Sequence, residues 1–186
     1  LSDLERLLGS PFHEFRLAAA LLLVRKAEQA RTAAERGRLA SFYLRHASRF
    51  NNWDLVDLSA PAVVGAYLYE RQDDKLWEKL ARSRSLWERR IAIVSTFAAI
   101  RQGSVRETFR IARLLLDDRE DLIHKATGWM LREAGKRVSR RELEDFLEAE
   151  AASMPRTALR YALEHFPEAR RKYYMSLGGT GKDMNR

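Results

Sequence analysis

A repeated helix-start signal constrains the fold of this chain more than any other sequence feature. Five times, a Ser or Thr precedes a Glu by three residues, the spacing of a capping box whose two side chains satisfy backbone N–H groups at a helix start. The five pairs are Ser2/Glu5, Thr32/Glu35, Ser85/Glu88, Ser104/Glu107 and Ser139/Glu142. Apolar residues at helical spacing follow them, and no stretch alternates with the period of a strand. We therefore predict an all-α fold.

The predicted helices also repeat along the chain. Segments can be aligned on a cation followed two residues later by a small residue, and the aligned pairs are Arg16/Ala18, Arg90/Ala92, Lys125/Thr127 and Arg156/Ala158. These cations are 74, 35 and 31 residues apart, and 74 is twice 37. A period of about 30–45 residues indicates HEAT-like helical repeats that form a curved α-α superhelix, or solenoid. An ordinary helical bundle that produces these spacings by chance is the alternative.

The length and composition indicate one domain. The chain has 186 residues, of which 46% are hydrophobic, enough for a single core. We place this domain at residues 1–177. The remaining segment, 178–186, contains three glycines and a lysine but lacks the spacing of a phosphate-binding loop, so we predict a disordered tail.

The absence of cysteine excludes disulfides, thiolate zinc sites and iron–sulfur clusters, and favours a reducing, cytoplasmic location. The four histidines show no metal-ligand spacing, and a surface or capping role is expected for each, so no metal and no cofactor is predicted. The longest apolar run, around Leu17–Val24, is far shorter than the roughly 18 residues of a membrane span. No membrane association is expected.

The charge of the chain favours a polyanionic partner. Lys and Arg outnumber Asp and Glu by 34 to 26, a net charge of +8, and residues 82–113 hold eight arginines against two glutamates. Within that stretch we expect Arg89 and Arg90, beside Trp87, to contact nucleic acid, with one of the pair facing the groove, because both follow the cap at Ser85. A solvated helix face is the alternative. Two cations near the starts of later helices, Lys125 and Arg156, would add positive charge to the same binding surface.

Trp53 and Asp57 form the pair best suited to chemistry. An asparagine at the start of the segment that opens Asn51-Asn52 is expected to cap a helix in which Trp53 and Asp57, four residues apart, share a face. Asp54 lies in the first turn, where a carboxylate stabilises the helix, so a structural role is expected for it. Asp57 lies deeper among apolar residues, where a carboxylate requires a hydrogen-bonding or ionic partner or has a functional role. An ion pair to a neighbouring helix is the structural alternative for Asp57.

Four segments carry a resemblance to a known family. They are Asn51–Asp57, Trp87–Ala92, Asp121–Glu133 and Met154–Ala162, and together they resemble the AlkD-like DNA alkylation repair enzymes. The likeness runs from about Leu4 to about Tyr173. The family's first helices, ahead of the repeat that contains His13, are not matched.

This resemblance implies a DNA glycosylase built from HEAT-like repeats. It implies that Asp57 is the catalytic carboxylate, that Trp53 and Trp129 face the DNA beside it, and that Arg90 binds the DNA backbone. The expected activity is hydrolysis of the N-glycosyl bond of N3- or N7-alkylated purines in duplex DNA, in base excision repair, by a monomer. A non-catalytic HEAT-like scaffold that binds DNA or protein is the competing hypothesis.

Overall fold

In the computed structural model, residues 1–177 are described, and every regular element within them is helical. The all-α prediction is confirmed for this range, and the predicted tail at 178–186 lies outside it. The helices are α1 (Ser2–Leu8), α2 (His13–Gln29), α3 (Ala33–Arg45), α4 (Trp53–Ala60), α5 (Ala66–Arg71), α6 (Asp74–Ala81), α7 (Leu86–Ser95), α8 (Phe97–Arg101), α9 (Arg106–Leu115), α10 (Asp121–Arg137), α11 (Arg140–Glu150), α12 (Arg156–Ala162) and α13 (Glu168–Leu177). A 3₁₀ turn covers Ala47–Arg49, and a π-helical segment, Pro61–Gly65, joins α4 to α5.

The chain divides into two compact units, Leu1–Ala98 and the part that begins at Ala99. In the first unit, α2 packs on α4 and α4 packs on α7, with α1, α3 and α6 beside this row. In the second unit, α10 packs on α9, α11 and α12. If the unbroken run from α4 to α5 is counted as one helix, the contacts α2–α4, α4–α7 and α10–α12 each join a helix to the second one along the chain, which is typical of helix-pair repeats. The superhelical arrangement and the single domain at 1–177 stay predictions.

Three of the five predicted capping boxes do cap helices. Thr32 and Glu35 form the complete reciprocal box at the start of α3. The hydroxyls of Ser85 and Ser139 accept hydrogen bonds from the backbone N–H three residues later, at the starts of α7 and α11. These contacts remove unsatisfied donors where each helix begins.

The other two predicted boxes are wrong. Ser2 lies inside α1, whose N-cap position is Leu1 and carries no side-chain cap. Helix α9 starts at Arg106, so Ser104 stands one residue too early to be its N-cap. The Ser104 hydroxyl instead donates to the carboxylate of Glu107, an acid that is itself buried. Satisfying that buried carboxylate takes the hydroxyl away from the backbone.

A basic side chain at the fourth position of several helices bonds to the loop before the helix. In each case a side-chain nitrogen donates to the carbonyl six residues earlier: Arg16 to Ser10, Arg36 to Ala30, Arg89 to Ser83 and His124 to Asp118. This bond places Arg16 in register with Arg89 and His124. The sequence alignment, which matched Arg16 to Arg90 and Lys125, is one residue out by this register.

The helical run from Trp53 to Arg71 carries an irregularity that positions the site. Pro61 has no N–H to donate to the carbonyl of Asp57 four residues earlier, and the π-helical turn begins at this proline. At the end of the turn, Gly65 is packed against α7 so closely that a Cβ would overlap the carbonyl oxygen of Ser95. Glycine is thus required for α7 to approach.

A second glycine contact holds α10 against α12. A Cβ on Gly128 would overlap the carbonyl oxygen of Ala158, so the two helices approach at backbone distance. Glycine at position 128 therefore permits this close approach. Within residues 1–177, no helix combines the length and the apolar character that crossing a membrane requires.

Candidate functional site

A carboxylate–guanidinium pair joins α4 to α7. The Nε and Nη2 atoms of Arg90 donate to Oδ1 and Oδ2 of Asp57 at 2.9 Å and 2.8 Å. The Arg90 side chain is 6% exposed and that of Asp57 is 16% exposed. Such a two-pronged bond fixes the direction of the carboxylate as well as its position. The close approach of α7 at Gly65 holds the helix that carries Arg90 against this run.

The environment of Asp57 works in two opposite directions on its charge. Burial raises the pKa of the Asp57 carboxyl above its ordinary value, and the hydrogen bonds and positive charge of Arg90 oppose that rise. The negative charge of Asp54, one turn earlier on α4, raises the pKa slightly further. The carboxylate is thus partly desolvated and held as an anion by its partner.

Trp53 is exposed beside this pair. It is the first residue of α4, and its N–H donates to the side chain of Asn52 at 2.8 Å, so the predicted asparagine cap is confirmed. The Trp53 residue is 55% exposed although the ring is large and apolar. One helical turn separates it from Asp57, and both lie on the same face of α4. An exposed aromatic next to a half-hidden carboxylate is a typical ligand-binding arrangement.

A histidine that the sequence did not single out stands next to the site. Nε2 of His13, at the start of α2, lies 2.7 Å from Oδ2 of Asp54. Because an ionised carboxylate only accepts hydrogen bonds, Nε2 carries the proton and donates it. Asp54 also accepts from the N–H of Leu55 at 2.7 Å, in keeping with the predicted first-turn role. His13 and Asp54 are 41 residues apart, and no sequence spacing indicated their contact.

Helix α4 is also fastened from its buried side. Tyr43 on α3 donates its hydroxyl hydrogen to Ser59 at 2.9 Å, and Ser59 donates to the carbonyl of Leu55. Burial raises the pKa of Tyr43, and the negative charge of Asp57 adds to the rise. The backbone that carries Trp53 and Asp57 is therefore held by α3 as well as by α7.

Of the other residues predicted on α7, Arg89 bonds to the loop before the helix. Arg89 is half-buried, and its Nη1 donates to the carbonyls of Ser83 and Arg84, both at 3.1 Å. Trp87, two residues after the cap, is half-buried. The guanidinium of Arg89 thus stabilises the loop before α7, and the binding of Arg89 to DNA stays a prediction.

The other predicted site residues lie in the second unit. Lys125 and Trp129 are one turn apart on α10 and are half-buried, and Arg156 is the exposed first residue of α12. Lys125 pairs with Asp121 at 2.7 Å. This hydrogen bond raises the pKa of Lys125 and lowers that of Asp121. The structure brings Trp53, Asp57 and Arg90 together, whereas the joint action of Trp129 with them stays a prediction.

Among the described residues, no group of three or more acidic or histidine side chains is arranged to hold a metal ion. The chemistry available at the site is that of a carboxylate, an indole ring and fixed positive charge.

Comparison with known proteins identifies the relatives of this fold. A family model described as "DNA alkylation repair enzyme" matches residues 1–166. This chain belongs to that family. A solved structure described as a predicted DNA alkylation repair enzyme from Enterococcus faecalis is similar, with a TM-score of 0.70 at 16% identity, over 90% of this chain and 75% of that one. At that identity the similarity concerns the fold. No curated protein matches the chain significantly.

The match to the DNA alkylation repair family includes every residue predicted for the site, from Trp53 to Arg156. Membership in this family favours DNA as the partner, in agreement with the net charge of +8.

Proposed function

We propose that this protein is a DNA glycosylase that hydrolyses the N-glycosidic bond of purines alkylated at N3 or N7 in duplex DNA. The observation that carries the proposal is the arrangement on α4: a carboxylate, Asp57, held by two hydrogen bonds from Arg90, stands one turn from the exposed indole of Trp53. Membership in the DNA alkylation repair family supports alkylated DNA as the substrate, and a cationic alkylated purine is a lesion on which such a minimal site would suffice.

The chemistry of these lesions explains why one carboxylate suffices. A purine alkylated at N3 or N7 is cationic, so no general acid is needed to make it leave. The C1′–N bond breaks and its electron pair passes to the purine, which departs as a neutral base. Positive charge then develops on the sugar. A water molecule adds to C1′ and its proton goes to solvent, which leaves a free base and an abasic site.

Asp57 would stabilise the charge on the sugar. An anion placed in advance beside a developing oxocarbenium ion lowers the barrier without reorganising solvent. Arg90 occupies one lone-pair direction on each carboxylate oxygen, and each oxygen keeps another for the sugar or the attacking water. Arg90 thus acts as a positioning residue that keeps Asp57 ionised and directed.

Trp53 would face the same charge. The electron-rich face of an indole attracts a cation by about 0.5–2 kcal/mol, depending on how far the site is desolvated. Its exposure lets a DNA strand reach the ring from solvent. Trp129 is proposed to contribute a second aromatic face, as the family resemblance implies.

A second candidate function rests on the same ion pair. A bond from α4 to α7 that is largely buried is also what a purely structural carboxylate would form, and a non-catalytic scaffold that binds DNA would keep it. The two candidates differ in whether the anion is needed for bond cleavage.

The deciding experiment is incubation of the protein with duplex DNA methylated at N7 of guanine. We expect release of 7-methylguanine above the spontaneous rate, with an abasic site left in the strand. Heat-denatured protein serves as the control for depurination. Binding of the duplex without release of base would reject the glycosylase and leave the scaffold.

A further inference from the structure

The cations selected from sequence at α7 and α10 are engaged within the chain. Arg90 bonds to Asp57, Arg89 to two loop carbonyls and Lys125 to Asp121. A guanidinium or ammonium that already has an internal partner contributes less to the binding of a phosphate. Other cations of the first unit, without such internal partners, are therefore better placed to bind a polyanion.

Helix α3 and the end of α2 carry such charge. Residues 25–49 contain seven Lys and Arg against two Glu, a net charge of +5. Arg36 is neutralised by Glu70, to which it donates at 2.7 Å and 2.8 Å. The carboxylate of Glu35 is bound by the N–H groups of Arg31 and Thr32, which hold its pKa below the ordinary value. The carboxylates of Glu70 and Glu35 thus have partners of their own.

Arg38 and Arg45 remain on the solvent side of α3. They are seven residues apart, hence two turns and about 10 Å along the axis, and they share one stripe with Ala34 and Ser41. All four residues of the stripe are exposed. Lys26, exposed on α2, lines a cavity of about 450 Å³ together with Arg38 and Glu35, and the charge of Arg38 also lowers the pKa of Glu35. Among residues 1–177, no carboxylate forms an ion pair with Lys26, Arg38 or Arg45.

We propose that Lys26, Arg38 and Arg45, the α3 basic face, bind the phosphate backbone of duplex DNA as a contact additional to the site at Asp57. The inference rests on DNA as the partner in the proposed function, and not on the glycosylase chemistry. One DNA strand carries a phosphate every 3.4 Å along the helix axis, so the spacing of the two arginines corresponds to about three nucleotides. Arginine suits this contact because its planar fork bonds two phosphate oxygens at once.

The composition of the stripe favours DNA over an anionic membrane. A helix that lies on a membrane inserts large apolar side chains between its cations. The positions between and beside the two arginines of α3 hold Ala34 and Ser41, which are too small or too polar for that role. Contacts of this face would be with phosphate alone, and hence independent of sequence and of damage.

The test is the double charge reversal R38E/R45E, compared with R141E/R171E. Arg141 on α11 and Arg171 on α13 are also exposed, so the control variant has the same net charge and the same number of surface changes. Because all four positions are exposed, melting temperatures are expected to stay close to that of the wild type. R38Q/R45Q removes the two charges more mildly if the reversal impairs folding.

Affinity for an undamaged duplex of several helical turns is measured over a series of salt concentrations. Each phosphate contact contributes about 0.9 to the slope of log affinity against log salt. Loss of two contacts should lower the slope by about 1.8 and, near 0.1 M salt, weaken binding by about 60-fold. The control variant should keep the wild-type slope and lose only a few-fold in affinity through its weaker overall field.

Equal losses in the two double variants, or an unchanged slope in R38E/R45E, would overturn the proposal. Wild-type binding to phosphatidylserine vesicles that R38E/R45E loses, with duplex affinity retained, would assign the face to a membrane instead. Failure of the proposed function is a separate result, because it shows as intact duplex binding without release of 7-methylguanine.

Discussion

Replacing Asp57 with a neutral residue can show whether the carboxylate is catalytic or structural. The free energy of unfolding and the rate of base excision must then be measured separately. Asp57→Asn removes the anion that accepts two hydrogen bonds from the Arg90 guanidinium, which is 6% exposed. Breaking a buried pair by removing one partner costs about 3–5 kcal/mol, and the 16% exposure of Asp57 favours the lower end, about 3 kcal/mol. For a chain of this size, that is a fall in melting temperature of roughly 6–12 °C.

The double variant Asp57→Asn/Arg90→Gln removes both charges. Two amides can bond to each other and leave no buried ion unpaired, so we expect part of the lost stability, on the order of 1–3 kcal/mol, to be regained. The rate should not return. If the anion stabilises the sugar cation, excision falls by about 10²-fold or more in the single and in the double variant alike.

The assay is single-turnover release of 7-methylguanine, well below the melting temperature of every variant, together with thermal unfolding. Glu70→Gln is the matched control, because Arg36 and Glu70 form a two-pronged pair of the same geometry between α3 and α5. It should cost less stability, since both partners are more exposed, and leave the rate unchanged. A double variant that recovers stability and rate together would refute a catalytic role for the charge.

Three further results are expected. Trp53→Ala should leave the melting temperature nearly unchanged, since the residue is 55% exposed, and slow excision by roughly 2–30-fold, whereas Trp53→Phe keeps part of the rate. In a pH profile of kcat/KM corrected for spontaneous depurination, activity should fall with decreasing pH as Asp57 gains its proton. Because burial raises the pKa of Asp57, this fall should occur at a higher pH than for an ordinary aspartate. Arg90→Gln should move the fall to a still higher pH, because Arg90 lowers the pKa of Asp57. Gly65→Ala should destabilise by about 1–3 kcal/mol through overlap with α7, and Gly37→Ala, whose Cβ would meet only a tyrosine ring at 3.2 Å, should be nearly neutral in thermal unfolding.

Features that depend on neighbouring residues could be predicted from the sequence. The shared face of Trp53 and Asp57 follows from helical geometry over four residues, and the cap at Asn52 follows from its chemistry. A glycine inside a helix favours a close neighbour, and Gly128 has one in the backbone of Ala158.

Features that depend on packing could not be predicted in the same way. The partner of Asp57 is 33 residues away, and sequence suggested a phosphate rather than a carboxylate for Arg90. The one-residue error in the repeat alignment arose because the adjacent cations Arg89 and Arg90 look equivalent in sequence, whereas in the structure Arg89 bonds to a loop carbonyl and Arg90 bonds to Asp57. The spacing of seven between Arg38 and Arg45 was visible in the sequence, and exposure was needed to give it meaning.

The π-helical turn at Pro61–Gly65 sets the direction in which the side chains of α4 point relative to Gly65. Each residue in an α-helix advances the side-chain direction by about 100°. Deleting one residue from this turn would allow a regular helix, yet with Gly65 kept against α7 it would rotate Asp57 by about 100° away from Arg90. A locally more regular chain would therefore lose the ion pair, and an insertion or deletion here acts on the site as strongly as a change of the carboxylate itself.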